Sequence, residues 1–198
     1  MVGEGVVTWP GVKVYEGPVK EGKATGSGSI VFTDGRIYKG QVENGIATGQ
    51  GRFDYPDGIS YEGSVLNDKP EGKGTFIWAN GLKFDRKATG TGSLICLDGT
   101  TYHNFNSTNL IDNMTCSQIS YSNGNMTLAD GTSYRGKIEN GQVVGIGEKT
   151  WPEGHPMFLK TYKGVLIRGK AEKKGKLVYT KGSTYEGFFK NDLPHGKG

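Results

Sequence analysis

Apolar and polar residues alternate along most of the chain, in a pattern that returns every 23 residues. Each unit opens on an aromatic residue, and a glycine and an aliphatic residue follow at every second position, as in Tyr38, Gly40 and Val42. After a short break the alternation resumes in a second segment, as in Gly51 and Phe53. A period of two is typical of half-buried β-strands, so each unit is predicted to contain two strands.

Turn-forming residue pairs separate the predicted strands. The pairs inside a unit consist of Asn, Asp and Gly, residue types that tolerate positive φ and close hairpins. The pairs are Asn44-Gly45, Asn67-Asp68, Asn140-Gly141 and Asn191-Asp192. Asp-Gly pairs such as Asp57-Gly58 then lead into the next unit. The chain is therefore predicted to be all-β, a single-layer antiparallel meander of stacked β-hairpins that is elongated and twisted, with an aromatic-lined groove.

Glycines recur on the same face of the strands as the aromatic residues. The chain has 34 of them, although a glycine inside a strand normally weakens it. We predict that they leave room for a ring from the neighbouring strand to lie across the backbone. These structural glycines are Gly17, Gly28, Gly40, Gly51, Gly63, Gly74, Gly136, Gly147, Gly164, Gly175 and Gly187.

The aromatic residues are predicted to form a groove that binds a partner. Only 34% of the residues are hydrophobic, so rings must supply much of the buried area, and no second layer is predicted to cover them. The predicted groove residues are Tyr15, Phe32, Tyr38, Phe53, Tyr55, Tyr61, Phe76, Trp78 and Tyr185. The row Trp9, Phe32, Tyr55, Trp78, Trp151 and Tyr179 has two interpretations, packing between repeats or platforms for bases and sugars. No basic stripe accompanies it, so no nucleic-acid partner is expected.

The repeat length changes in the middle of the chain. The interval is 18 residues from Phe84 to Tyr102, 32 from Tyr102 to Tyr134 and 28 from Tyr134 to Tyr162. We expect the altered hairpins to interrupt regular stacking and to create a kink or a docking site. The predicted divisions are regular repeats at 1–83, irregular repeats at 84–161 and regular repeats at 162–198, with the first and last repeats partial.

The combination of Tyr-Glu-Gly, Asn-Gly, Gly-x-Gly and Asp-Gly-x-x-Tyr resembles the MORN repeat, the "membrane occupation and recognition nexus" motif. Tyr185-Glu186-Gly187 and the residues 191–198 that follow are similar to its first half. The resemblance covers nearly the whole chain apart from 103–120. It implies a single-layer sheet of stacked hairpins that is not an enzyme and has no cofactor. Similar arrays occur in junctophilins, ciliary radial-spoke head proteins and phosphatidylinositol phosphate kinases.

Three functions are consistent with this resemblance. The first is a scaffold for protein-protein interaction or assembly, in a cytoskeletal or ciliary setting, whose partner is an amphipathic helix or an extended segment. Self-association belongs to the same expectation. The second is a peripheral membrane module that binds acidic phospholipids. The third is the regulatory MORN region of a larger enzyme. A cytoplasmic protein is expected in each case.

Charge adds one feature to this picture. The net charge is +4, and the densest basic run is Lys170, Lys173, Lys174 and Lys176. We interpret this run as a solvated loop, with an acidic partner or an anionic lipid headgroup as the alternative.

Cysteines and histidines point to no chemistry. Cys96 and Cys116 are too few for a disulfide scaffold and lack the spacing of a metal site, so reduced thiols in the cytosol are expected. His103, His155 and His195 fall in predicted insertions and a turn. No catalytic residue and no metal site are therefore predicted.

Overall fold

The computed structural model describes residues 2–87, 91–106 and 115–196, which form two compact units. The first unit comprises the described residues up to Gly92 together with Asn106, and the second starts at Ser93, a position inside the predicted irregular block. Regular structure in both units is almost entirely β-strand. No helix in the described part of the chain has the length and hydropathy needed to cross a bilayer.

Nine strands are formed by residues 2–86, and strands that follow each other in sequence pair antiparallel. The strands are β1 (Val2–Trp9), β2 (Lys13–Lys20), β3 (Lys23–Ala24), β4 (Gly26–Phe32), β5 (Ile37–Glu43), β6 (Ile46–Asp54), β7 (Ser60–Leu66), β8 (Lys69–Ile77) and β9 (Lys83–Arg86). The short β3 and the longer β4 both pair with β2, as two parts of one interrupted strand. The predicted all-β meander of hairpins is confirmed here.

Nine further strands and one short 3-10 helix follow. They are β10 (Thr91–Ile95), β11 (Thr101–Asn106), the 3-10 helix Cys116–Gln118, β12 (Tyr121–Thr127), β13 (Ser133–Glu139), β14 (Gln142–Thr150), β15 (Leu159–Ile167), β16 (Lys170–Tyr179), β17 (Thr184–Lys190) and β18 (Leu193–His195). Antiparallel pairing runs in sequence order from β11 to β18. Strands β11 and β12 share only three residue pairs, so the hairpin in the 32-residue interval is much reduced.

The hairpin turns have the geometry that their residue types predict. Asn44 and Gly45 have φ of 50° and 80°, and Asn67 and Asp68 have 52° and 62°. Positive φ at both central residues is characteristic of a type I′ turn, which matches the right-handed twist of the flanking strands. The Asn-Gly and Asn-Asp pairs therefore set the register of each hairpin.

A β-bulge interrupts most regular hairpins beyond the turn. The register of β5 with β6 shifts between Gly40 and Val42, opposite Gly49, whose φ is 67°. The extra residue of a bulge often needs positive φ, which glycine adopts without strain. This explains Gly49, Gly72 and Gly145, each the first glycine of its Gly-x-Gly pair. The second glycine has another role, described below.

A disulfide joins Cys96, the residue after β10, to Cys116 in the 3-10 helix, with 6.2 Å between their Cα atoms. The expectation of two reduced thiols is therefore wrong. Position in the repeat did not reveal the pair, because the altered repeats bring together residues that are 20 apart in sequence. The pairing also removes the cysteine argument for a reducing compartment.

Candidate interaction surfaces

The hydroxyl of the leading tyrosine in each regular repeat donates a hydrogen bond within its own hairpin. The hydroxyl of Tyr38 lies 2.8 Å from the carbonyl oxygen of Gln41 and 3.1 Å from that of Thr48, and donates to this pair of acceptors. Tyr15 and Tyr162 reach the carbonyls three and ten residues further on in the same way. Each of these hydroxyls thus links the two strands of one hairpin.

In most regular repeats a glycine of the second strand lies beneath this ring. A Cβ atom added to Gly51 would overlap the ring of Tyr38, and Gly28, Gly74 and Gly175 stand in the same relation to their tyrosines. Gly136 and Gly147 differ, because an added Cβ would there meet backbone atoms and aliphatic side chains. The prediction that glycine makes room for a ring is therefore wrong at these two positions.

Most of the predicted groove rings are buried. Tyr15, Tyr38, Phe53 and Tyr61 have no exposed surface, and Phe32 and Trp78 are each 7% exposed. Only the remaining three are partly accessible, and they are Tyr55, Phe76 and Tyr185. The prediction that all nine rings offer a surface to a partner is therefore corrected for the six buried ones. Strand alternation predicts which face a ring occupies, but not how closely neighbouring side chains cover that face.

The rings pack on each other from one hairpin to the next. The ring of Phe53 lies 4.9 Å from that of Tyr38, 6.2 Å from Phe32 and 6.0 Å from Tyr55, measured between centroids. These separations and the tilted planes are those of favourable aromatic pairs. Packing between repeats therefore accounts for Phe32 and Tyr55 in the aromatic row.

Cationic side chains cover part of this aromatic core. Lys13 lies over the rings of Trp9 and Phe32, at 5.6 and 5.4 Å, and its Nζ is 2.6 Å from Oδ2 of Asp68. Arg36 lies 4.1 Å above the ring of Phe32. The lysine is only 8% exposed, so the carboxylate and the ring faces replace the water that its charge loses.

The second unit repeats this device with different residues. Lys149 is 5% exposed, lies over the rings of Tyr134 and Trp151, and places its Nζ 2.9 Å from Oδ2 of Asp192. The other carboxylate oxygen of Asp192 accepts a hydrogen bond from the backbone of Ala171. Asp68 does the same with Ala47. An Asn-Asp turn in place of Asn-Gly is therefore the sequence signal for a buried lysine partner, and sequence reasoning missed it.

Burial of the tyrosines raises their pKa. Desolvation is the main cause at Tyr38, where the pKa rises to about 12, and the nearby charge of Asp68 adds to it. The pKa of Tyr102 is also raised to about 12, chiefly by burial and further by Asp98. Both hydroxyls therefore remain donors across the neutral and mildly alkaline range.

Two of the histidines make contacts of a structural kind. His103 hydrogen bonds Thr127 at 2.9 Å, and the ring of His155 lies 5.9 Å from that of Trp151. Among the residues that the structure describes, no group of three or more His, Cys, Asp or Glu side chains is arranged to hold a metal ion.

An apolar row lies on the opposite face of the first unit. Val14 of β2 is directly opposite Val31 of β4, which is directly opposite Ile37 of β5. These side chains are 39%, 48% and 37% exposed. Directly opposed residues have Cβ atoms about 4.5–5.5 Å apart, so the three form a continuous strip, named here the apolar row.

A family model for the MORN repeat matches five segments of the sequence, which together make up just over half of it. The matched residues are 15–35, 38–60, 61–83, 134–155 and 185–198. This chain belongs to the MORN-repeat family. No curated protein matches the sequence.

Among solved structures, the MORN chain is similar to centriole-protein domains. The TCP domain of SAS-4 from Drosophila melanogaster, in complex with a proline-rich motif of Ana2, is 13% identical, with 83% of this chain and 84% of that chain covered and a TM-score of 0.48. The TCP10 domain of Danio rerio CPAP is 12% identical, with 93% and 83% covered and a TM-score of 0.44. At these values nothing about function follows from the likeness.

The tyrosine hydroxyls of two irregular MORN repeats donate their hydrogen bonds to other hairpins. The hydroxyl of Tyr102 donates to the carbonyl of Gly141 at 2.8 Å, and that of Tyr134 donates to the carbonyl of Gly169 at 3.0 Å. Each bond reaches the turn of a later hairpin instead of staying inside its own. The departures from 23 residues are therefore accompanied by contacts between hairpins.

The basic run is not a loop. Lys170, Lys173, Lys174 and Lys176 all lie on β16, so the interpretation as a solvated loop is wrong. The MORN register predicts the strand, because Lys174 and Lys176 flank Gly175, which occupies the position of the second glycine in a repeat. Their side chains therefore belong to the face opposite the aromatic core.

Proposed function

We propose that this protein is a non-catalytic scaffold that binds an amphipathic helix of a partner protein through the apolar row. The observation that supports this most directly is the exposure of Val14, Val31 and Ile37 as one strip across three strands. Thr8 precedes the strip and Asp54 follows it in register, so the apolar surface has polar limits. Exposed apolar patches with polar rims are typical of protein interaction sites.

The spacing of the strip suits a helix. Neighbouring strands are about 4.8 Å apart, and one turn of an α-helix rises about 5.4 Å. A helix lying across β2, β4 and β5 would therefore place one apolar side chain per turn, at i, i+3 or i+4 and i+7, against each residue of the strip. This revises the predicted site from the aromatic groove to the other face of the same sheet.

The absence of catalysis remains part of the proposal. It is supported by the structural use of particular buried polar groups: the hydroxyls of Tyr38 and Tyr162 bind backbone carbonyls, and the two buried lysines pair with Asp68 and Asp192. None of these groups is left to activate a substrate. A cytoskeletal or ciliary location stays a prediction from the family resemblance.

The test compares Val14→Ser/Val31→Ser/Ile37→Ser with wild type in affinity purification followed by mass spectrometry. We expect at least one protein to be recovered with wild type and lost with the triple variant. That protein should then bind purified wild-type chain directly, with at least tenfold weaker binding to the variant. Circular dichroism checks that the exposed substitutions leave the fold intact.

Leu97→Ser provides the matched control, because Leu97 is 81% exposed but belongs to a turn of the second unit and not to the apolar row. It should recover the same proteins as wild type. Recovery of an identical set of proteins by the triple variant would refute the proposed site, whereas equal losses with Leu97→Ser would show nonspecific apolar capture.

A further inference from the structure

The net charge of the protein is concentrated in one part of the chain. Residues up to Gly92 contain 11 basic and 11 acidic residues, whereas those from Ser93 contain 13 basic and 9 acidic, so the whole net charge of +4 belongs to the second unit. Within it, residues 159–190 hold nine Lys or Arg and two Glu. The strands β15, β16 and β17 therefore form a strongly basic sheet segment.

A trough lies on the face of this segment opposite the aromatic core. Its volume is about 570 Å³, within the range of roughly 300–1,000 Å³ that ligand sites usually have. The floor is backbone at Gly164, Gly175 and Gly187, which are paired in register across the three strands. The rim residues, together named the lysine trough, are Lys163, Lys174, Lys176, Glu186 and Phe188.

The charges of the lysines in the trough are not neutralised by short ion pairs among the described residues. Lys174 and Lys176 have no ion-pair partner among the described residues, and Lys163 makes only a long contact of 3.5 Å with Glu148 while its side chain stays 71% exposed. Lys163 is directly opposite Lys176. Like charges that are directly opposite each other destabilise a strand pair. An anion bound between the two lysines would relieve this repulsion and would also accept charge-assisted hydrogen bonds from both.

An apolar side chain completes one wall. Phe188 is 48% exposed and directly opposite Lys174, whose Nζ lies 5.5 Å from its ring. A ligand in the trough therefore meets cations, one carboxylate and one aromatic face within a few residues. Such a rim is complementary to a polypeptide segment that carries both carboxylates and an apolar side chain.

The same register position of the first unit lacks these properties. Arg52, the counterpart of Lys176, is ion-paired with Asp54 at 2.7 Å. Gln50 and Ser64, the counterparts of Lys174 and Phe188, hydrogen bond each other at 3.0 Å. The repeat framework alone therefore does not produce the trough, and the first unit supplies a control surface of the same geometry.

We propose that the lysine trough binds an acidic, extended segment of a partner protein. Carboxylates of the segment pair with Lys163, Lys174 and Lys176, an apolar side chain packs on Phe188, and a donor meets Glu186. The glycine floor lets the segment approach the strand backbone closely. This site is independent of the apolar row, and either can fail without the other.

The geometry favours a polypeptide over a bilayer or a nucleic acid. The lysines stand at the rim of a depression with a glycine floor, which an extended segment can enter and the flat surface of a bilayer cannot. Glu186 lies directly opposite Lys176 and repels a uniform polyanion such as a nucleic acid. A peptide can alternate acidic, apolar and donor groups to match the rim.

The test uses the full chain and a fluorescein-labelled eight-residue peptide in which four glutamates alternate with one leucine, one phenylalanine and two serines. Fluorescence anisotropy at low salt should show binding that weakens with added NaCl, since charge pairs at an exposed site are screened. The glutamine analogue of the peptide should bind at least tenfold more weakly.

Lys163→Glu/Lys176→Glu should raise the Kd of the acidic peptide at least tenfold. Lys39→Glu/Arg52→Glu is the matched control, because it makes the same charge change at the equivalent cross-strand positions of the first unit. It should change the Kd less than twofold. Phe188→Ser should weaken binding without reducing the salt dependence.

Amide shifts in the wild-type protein give a second readout that needs no variant. Titration with the peptide should move the amide signals of Gly164, Gly175 and Gly187 and leave those of Gly40 and Gly51 in place. The proposal is overturned if the control variant loses as much affinity as the trough variant, if no peptide binds at low salt, or if the glycine signals stay unmoved. Tighter binding of phosphatidylserine vesicles or of an oligothymidine than of the peptide would equally overturn it.

Discussion

At the scale of single residues, the repeat rests on the contact between a tyrosine ring and a glycine on the neighbouring strand. The ring of Tyr38 covers Gly51 so closely that no β-carbon fits between them. Its hydroxyl donates hydrogen bonds to the carbonyl oxygens of Gln41 and Thr48. This contact could be predicted from the sequence, because the glycine and the aromatic residue occupy the same face of adjacent strands. The buried pair of Lys149 and Asp192 could not, since its partners are 43 residues apart.

Gly51→Ala should lower the free energy of unfolding by about 2 kcal/mol or more, because the added methyl group forces the buried ring out of its site. Urea denaturation followed by tryptophan fluorescence measures the change. Gly3→Ala should change stability by less than about 0.5 kcal/mol, because an added Cβ there has no atom within 4 Å. Equal stability of the Gly51 variant and wild type would contradict the packing described for Tyr38.

At the scale of strands and turns, most of the hairpins follow from the sequence, whereas two features depart from it for different reasons. Alternation and the Asn-Gly or Asn-Asp pairs determine where each regular hairpin turns. The density of charge at Lys174 and Lys176 suggests a loop, whereas their position beside Gly175 in the repeat places both on a strand. The disulfide was missed because the repeats around it differ in length, so no register related Cys96 to Cys116.

Reduction of this disulfide should destabilise the second unit. The bond closes a loop between residues 20 apart, and constraint of the unfolded chain by a loop of that size is worth about 3 kcal/mol. Thermal unfolding followed by near-UV circular dichroism should show a lower Tm after dithiothreitol treatment. In Cys96→Ser/Cys116→Ser the reductant should have no effect. Detection of two free thiols per chain before reduction would show that the bond is not formed.

At the scale of the whole molecule, the buried tyrosines make the fold sensitive to alkali. Their pKa in the folded protein lies above the usual value of 10, at about 12 for Tyr38 and Tyr102. Between these values the unfolded chain has lost protons that the folded protein still holds. The stability that these hydroxyls contribute is therefore complete below pH 10 and decreases as pH rises from about 10 to about 12.

Urea denaturation at pH 9 and at pH 11.5 should show this loss. Tyr38→Phe should be less stable than wild type at pH 9, because the carbonyls of Gln41 and Thr48 lose their donor. Its further loss between the two pH values should be smaller than that of wild type, since one titrating hydroxyl is gone. Equal losses in both proteins would show that other groups, such as the lysines, cause the alkaline unfolding.

The position of the tyrosine hydroxyl bonds has an evolutionary consequence. Where the hydroxyl binds carbonyls of its own hairpin, as at Tyr15 and Tyr162, duplication or deletion of a neighbouring repeat leaves that bond intact and costs only contacts between repeats, such as the Lys13–Asp68 pair. Tyr102 and Tyr134 instead bind the turn of a later hairpin. That stretch must be inherited as a block, so variation in copy number is expected among the regular repeats and not within it.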